Sequence, residues 1–97
     1  MTHPLTPESI ERSIAAWLRS YLVELLGLAA EEIDEETPFD RLGLDSLASV
    51  SMIGDLETWL SFELDAAFPN DYPSIRALAR GLAADAQVRA AFARQSA

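Results

Sequence analysis

The chain has no cysteine, no lysine and a single histidine, His3. Without cysteine there is no disulfide framework and no thiolate metal site, an absence that fits a cytoplasmic protein. Without cysteine or lysine, two common nucleophiles or bases are also missing. Long hydrophobic runs are lacking too. The longest apolar stretches are only a few residues, too short to span a bilayer. The opening MTHPLTPESIE does not have the basic-then-apolar layout of a secretory signal. Positive charge is scarce: seven bases, all arginine, stand against sixteen acids, for a net charge of −9. Such a surface repels nucleic acid and anionic lipid and steers toward basic protein patches. No nucleic-acid or membrane partner is therefore expected, and the arginines at 76, 80, 89 and 94 are too dispersed for a DNA-reading helix.

What is present suits one small helical domain. Ninety-seven residues, 49% of them hydrophobic, can build a single modest core. Thr6 as cap, Pro7 at the first helical position, and Glu8 and Glu11 near the positive dipole end predict a helix start. Ile10, Ile14, Trp17, Leu18, Tyr21, Leu22, Leu25 and Leu26 then recur at three- and four-residue spacing, which predicts a long amphipathic helix ending at Gly27. Residues 28–45, LAAEEIDEETPFDRLGLD, hold seven acids and one arginine, with Pro38 and Gly43 as breakers. They read as a long loop pinned to the core by Ile33, Phe39, Leu42 and Leu44, and a loop of this length in so small a domain is usually functional.

Asp45 or Ser46 caps a second helix to about Leu60, with Ser49, Met52, Ile53, Leu56 and Leu60 inward and Leu47, Val50 and Gly54 on another face. A connection SFELD, a brief apolar turn at AAF and the breaker run PNDYP follow. Ser74 caps a last helix with Ile75, Leu78, Ala79 and Leu82 inward. Residues 85–97 are helix-prone but poor in core-sized side chains, and read as an extension or linker. The leader is expected at 1–7 and the domain at 8–84. No strand-period segment stands out, so the fold class is all-α.

Ser46 is the residue that needs explaining. A hydrolase serine wants a nearby base and often a G-x-S-x-G turn after a strand. Here the context is Gly43-Leu44-Asp45-Ser46-Leu47, no strand precedes it, and the one histidine is expected in a frayed terminus. No catalytic role is expected of it. The acid run from Glu31 to Glu36 lacks the alternating ligands, central glycine and closing glutamate of a calcium loop, so no metal site is expected.

The order of features carries the strongest signal: a long first helix, then TPFDRLGLDSLASV, then NDYPSIRALARGLA at a fixed distance downstream. Over roughly residues 10–84 the chain resembles an acyl carrier protein, the carrier domain of modular polyketide and lipid-initiating synthases. The resemblance implies a four-helix bundle of three longer helices and one short one, with a long loop between the first two. It implies that Ser46 receives 4′-phosphopantetheine from coenzyme A, transferred by a separate magnesium-dependent phosphopantetheinyl transferase. The chain would then be a monomeric shuttle rather than an enzyme. Its other partners would be an acyl-loading enzyme, either an acyltransferase or a fatty acyl-AMP ligase, and a ketosynthase or other synthase domain. GDLETWL, with its Trp59, is similar to the carriers served by such ligases. Asp45, Leu47, Val50, Ser51, Gly54 and Glu57 would meet the partner enzymes. A peptidyl carrier domain and an unmodified interaction module of the same fold remain as alternatives. Asp45 favours an acyl over a peptidyl carrier. Pro69-Asn70 departs from the apolar residues usual before D-Y-P, and Pro69 is expected to shorten or kink the third helix. The initiating methionine and short leader suggest a free-standing protein or the first domain of a longer one.

Overall fold

A computed structural model describes residues 6–65 and 67–96, apart from the side chains of residues 95 and 96; His3 and the rest of the leader to residue 5 lie outside it. Among the described residues there are six α-helices: α1 (Pro7–Leu26), α2 (Phe39–Leu42), α3 (Ser46–Leu60), α4 (Phe68–Asp71), α5 (Ile75–Ala83) and α6 (Ala86–Ser96). No strand occurs among these residues, only an isolated bridge between Pro38 and Ser74. The expected bundle is present, with α1, α3 and α5 as the longer helices and α4 as the short one. A single turn within the long loop (α2) and α6 are additions.

The helix boundaries follow from their caps. The Thr6 side chain accepts from the Ser9 backbone N–H at 3.1 Å, and Pro7 opens α1 where its missing N–H costs nothing. Gly27 ends α1 in the left-handed region at φ 69°, returning its N–H to the Val23 carbonyl. Ser74 caps α5 by accepting from the Ala77 N–H at 3.2 Å. In α4, Pro69 occupies the first turn, where no backbone donor is required, so the helix forms on FPND and lasts one turn. The turn expected at AAF meets this helix at Phe68, Ala66 lying outside the described residues, and the helix takes in the first three residues of the expected breaker run PNDYP.

The core is built from Ile10, Ile14, Leu18 and Leu22 of α1, Met52, Ile53, Leu56 and Leu60 of α3, and Ile75, Leu78 and Leu82 of α5, all essentially without solvent exposure. Of the expected inward positions on α3, Ser49 alone is only half-buried. The long loop is anchored by Ile33, Phe39 and Leu44, which are buried, and by half-buried Leu42. It is also stitched to the start of α5: the Phe39 N–H donates to the Pro73 carbonyl and the Arg76 N–H to the Glu35 carbonyl, each at 2.8 Å. The Glu35 carboxylate further pairs with Arg19 at 2.7 Å.

Residues 86–96, read from sequence as an extension or linker, form a helix packed on the bundle. Asp85 accepts from the Gln87 and Val88 N–H groups at its start, and Val88 and Ala91 are buried. Phe92 meets Trp59 edge-on with ring centroids 5.9 Å apart. Trp59 in turn stacks on Trp17 at 5.5 Å, and Trp17 on Tyr21 at 5.1 Å. The four rings form a ladder across α1, α3 and α6, an arrangement that adds to the value of their burial.

Candidate phosphopantetheine attachment site

The segment RLGLDSL assigns nearly every residue a separate physical task. Gly43 has φ 101°, a conformation that strongly favours glycine, and it folds α2 back against the start of α3. Leu44 is buried, with its N–H donating to the Phe39 carbonyl at 3.0 Å, which fixes the turn to the core. Asp45 is the N-cap of α3: its side chain accepts from the Ala48 N–H at 2.8 Å. Ser46 is the first residue of the helix and is exposed. Sequence left the cap to Asp45 or Ser46; the structure gives it to Asp45, so the Ser46 hydroxyl is released from that duty.

Ser46 opens onto a groove of about 610 Å³ walled by Asp40 and Arg41 of α2, Ser49 and Val50 of α3, and Pro69 and Asn70 of α4. The arrangement suits a phosphodiester on the serine. The positive end of α3 lies beside it, Arg41 offers a cation, and Asn70 offers an amide donor. Neither Arg41 nor Asn70 was singled out as a site residue from sequence. The available signals were that Arg41 is the one base in an acid loop and that Pro69-Asn70 departs from the expected pattern.

The other expected surface residues divide. Leu47 is 81% exposed and Val50 54% exposed, an unusual display of apolar side chains on one helix. Ser51 and Gly54 are also exposed, and a Cβ built on Gly54 would meet nothing within 4 Å. Glu57 differs: it is half-buried and its carboxylate accepts from the Leu64 N–H at 2.9 Å, so it braces the turn after α3. Asp55, on the opposite flank, accepts from the Tyr21 hydroxyl at 2.7 Å. Burial, reinforced by the hydrogen bond and negative charge of Asp55, pushes the Tyr21 hydroxyl up to about 12.

The acidic loop is built from local bonds. Glu32 accepts from the Ala29 N–H and Asp34 from the Glu36 N–H, and among the described residues no group of three or more potential ligands is placed to hold a metal ion. No helix among the described residues is long and apolar enough to cross a membrane.

The family described as the phosphopantetheine attachment site matches residues 16–82. The acyl carrier protein TtuC of Teredinibacter turnerae is 34% identical over 84 residues, covering 81% of this chain and 97% of its own length. A non-reducing polyketide synthase of Cladonia grayi is 33% identical over 79 residues, 81% of this chain; the match spans only 4% of that much longer protein. Among solved structures, a free-standing peptidyl carrier protein of Acinetobacter baumannii has a TM-score of 0.70 and 35% identity, covering 74% of this chain and 90% of that one. The HMG-ACPI domain of the CurA module of Lyngbya majuscula has a TM-score of 0.70 at 24% identity, covering 98% of this chain and 90% of that one, a likeness of fold. The chain thus belongs to the phosphopantetheine-bearing carrier family, as an acyl carrier domain of the polyketide synthase type.

Proposed function

We propose that Ser46 is the residue that takes the phosphopantetheine, and that the domain carries acyl intermediates for a polyketide or related lipid synthase. The observation that carries this is the division of labour at α3: Asp45 caps the helix and leaves Ser46 as an exposed, unencumbered hydroxyl. In the transfer, Ser46 Oγ forms a new bond to phosphorus as the pyrophosphate P–O bond of coenzyme A breaks. 3′,5′-Adenosine diphosphate leaves, and the hydroxyl proton passes to the transferase. When bound, the arm supplies a terminal thiol on which an acyl group rides as a thioester. The chain itself then needs no catalytic set. Its own contributions are to hold Ser46 outward on a fixed helix end and to present a recognisable face, so it acts as a substrate for other enzymes rather than as an enzyme.

That face is the outer side of α3. Leu47, Val50, Ser51 and Gly54 offer apolar and small surface, and Asp45 adds charge for a basic-rimmed partner. Glu57 takes part with its outward surface while its carboxylate holds Leu64. The partners of this reading are a phosphopantetheinyl transferase, a loading acyltransferase or ligase, and synthase domains such as a ketosynthase, and we take the domain to work with them in the cytoplasm, where coenzyme A is at hand. Trp59's place in the aromatic ladder accounts for that residue by packing, so it gives a fatty acyl-AMP ligase no support over an acyltransferase. We take the domain to run through α6, whose buried face completes the core. The 35% identical peptidyl carrier structure favours a second reading, a carrier for aminoacyl groups; loading by an amino-acid-activating enzyme instead of an acyl-loading one separates the two.

The test is intact mass after incubation with coenzyme A, magnesium and a broad-specificity transferase. One phosphopantetheine should be gained and should map, after trypsin, to residues 42–76, the span between Arg41 and Arg76. Fragmentation should then place it on Ser46. A gain that survives Ser46→Ala would refute the assignment.

A further inference from the structure

The groove beside Ser46 is walled by a single basic side chain, Arg41, set between Asp40 and the turn to Asp45. Three other arginines are committed to carboxylates: Arg19 and Arg76 to Glu35, and Arg80 to Glu11. Arg41 is exposed and forms no ion pair among the described residues. It faces the groove because Gly43 turns the chain back through its left-handed φ, which brings a residue five positions before Ser46 to the wall that Ser46 also lines. Asn70 stands in the same lining, contributed by α4.

A phosphodiester on Ser46 Oγ has its phosphorus one bond from that oxygen, so it must sit at the mouth of this groove. There it meets Asp40 and Asp45, whose charges disfavour it, and Arg41, whose guanidinium matches phosphate oxygens in a forked geometry. We propose that Arg41 is a positioning residue for the arm: it pairs with the phosphodiester and lays the pantetheine chain along the groove, where the Asn70 amide meets the arm's own amides. This rests on the assignment of the arm to Ser46. The arm then rests on the α2–α4 side of the serine. Of the outer face of α3, Leu47 and Gly54 stay clear for an approaching enzyme while the arm is parked, and Val50, which also walls the groove, lies at the border between the two. Because the pair is solvent-exposed it is weak and salt-sensitive, biasing the arm about two- to five-fold toward the docked position.

The experiment compares holo forms of the wild type, Arg41→Gln and Arg41→Lys, each driven to full conversion and verified by intact mass. Phosphorus NMR reads the shift and relaxation of the phosphodiester, and nitrogen-proton spectra read the Arg41 Nε–H. In the wild type, the Arg41 Nε–H should move on conversion from apo to holo. The phosphorus should relax as a partly immobilised group, and about 1 M salt, where charges are screened within roughly 3 Å, should release it. Arg41→Gln should reproduce the released state without salt, and Arg41→Lys should keep part of the restriction. The Arg41 side chain is in none of the ion pairs among the described residues, and its backbone bond to the Pro38 carbonyl does not depend on the side chain, so the substitutions should leave helicity unchanged. Identical phosphorus shifts and relaxation in wild type and Arg41→Gln would overturn the role of Arg41 and leave Ser46 standing. No mass gain in the wild type would overturn both.

Discussion

Gly81 in α5 and Gly54 in α3 both occupy helix interiors, where glycine costs about 1 kcal/mol relative to alanine. A Cβ on Gly81 would lie 2.7 Å from the ring of Tyr72, closer than real contacts allow. A Cβ on Gly54 would meet open space. The first glycine is required by packing within the chain: Tyr72 leans over α5, with its ring centroid 6.1 Å from that of Phe68 of α4. The second serves nothing inside the molecule, and it shares a helix with exposed Leu47 and Val50. On α5 the sequence is explained by packing. On the outer side of α3 it is not, and this is the side on which we place partner recognition.

Substitution can break that comparison. Gly81→Ala gains helix propensity but forces the ring aside; overpacking costs about 1–3 kcal/mol, so a net loss of about 1 kcal/mol is expected by denaturant unfolding. In a Tyr72→Ala background the same change should become stabilising, since the obstruction is gone. Gly54→Ala should stabilise the isolated domain by up to about 1 kcal/mol in either background. If it also slows acyl loading, the glycine is there for an approaching enzyme; unchanged loading would show that it is only tolerated.

A smaller effect sharpens the comparison on the other flank of α3, where Asp55 is tied to Tyr21. The Tyr21 hydroxyl is raised from 10.0 to about 12 in the fold. Its contribution to stability is therefore fully present below pH 10 and is lost as pH rises toward 12, because the unfolded chain gives up its proton first. Stability measured across pH 10–12 should fall less steeply in Tyr21→Phe than in the wild type.

Most of the scaffold was legible because it is written in local signals. Thr6-Pro7, Gly27 and Ser74 fix helix ends by short-range bonds, and the three- and four-residue repeats on α1 and α5 mark the buried sides. The turn ahead of α3 was legible for the same reason, since Gly43, Leu44 and Asp45 each act on near neighbours. What was missed depends on tertiary partners. Helix α6 has few large apolar residues, and it is held because Phe92 meets Trp59 of α3 edge-on while Val88 and Ala91 are buried. Glu57 reads as a surface acid, but its partner, Leu64 N–H, is supplied by the turn beyond the helix. The groove is assembled from α2, α3 and α4, so no single stretch of sequence announces it.

The central claim is that capping and attachment at α3 belong to neighbouring but different residues. It is tested most directly by carrying Asp45→Ala and Ser46→Ala through thermal unfolding and transferase-dependent mass gain side by side. Asp45→Ala should lose about 1 kcal/mol of stability, as for the loss of an N-cap, and still accept the arm, even if more slowly. Ser46→Ala should unfold within about 0.5 kcal/mol of the wild type and gain no mass. A destabilised Ser46→Ala alongside an unaffected Asp45→Ala would make Ser46 the cap and contradict the account.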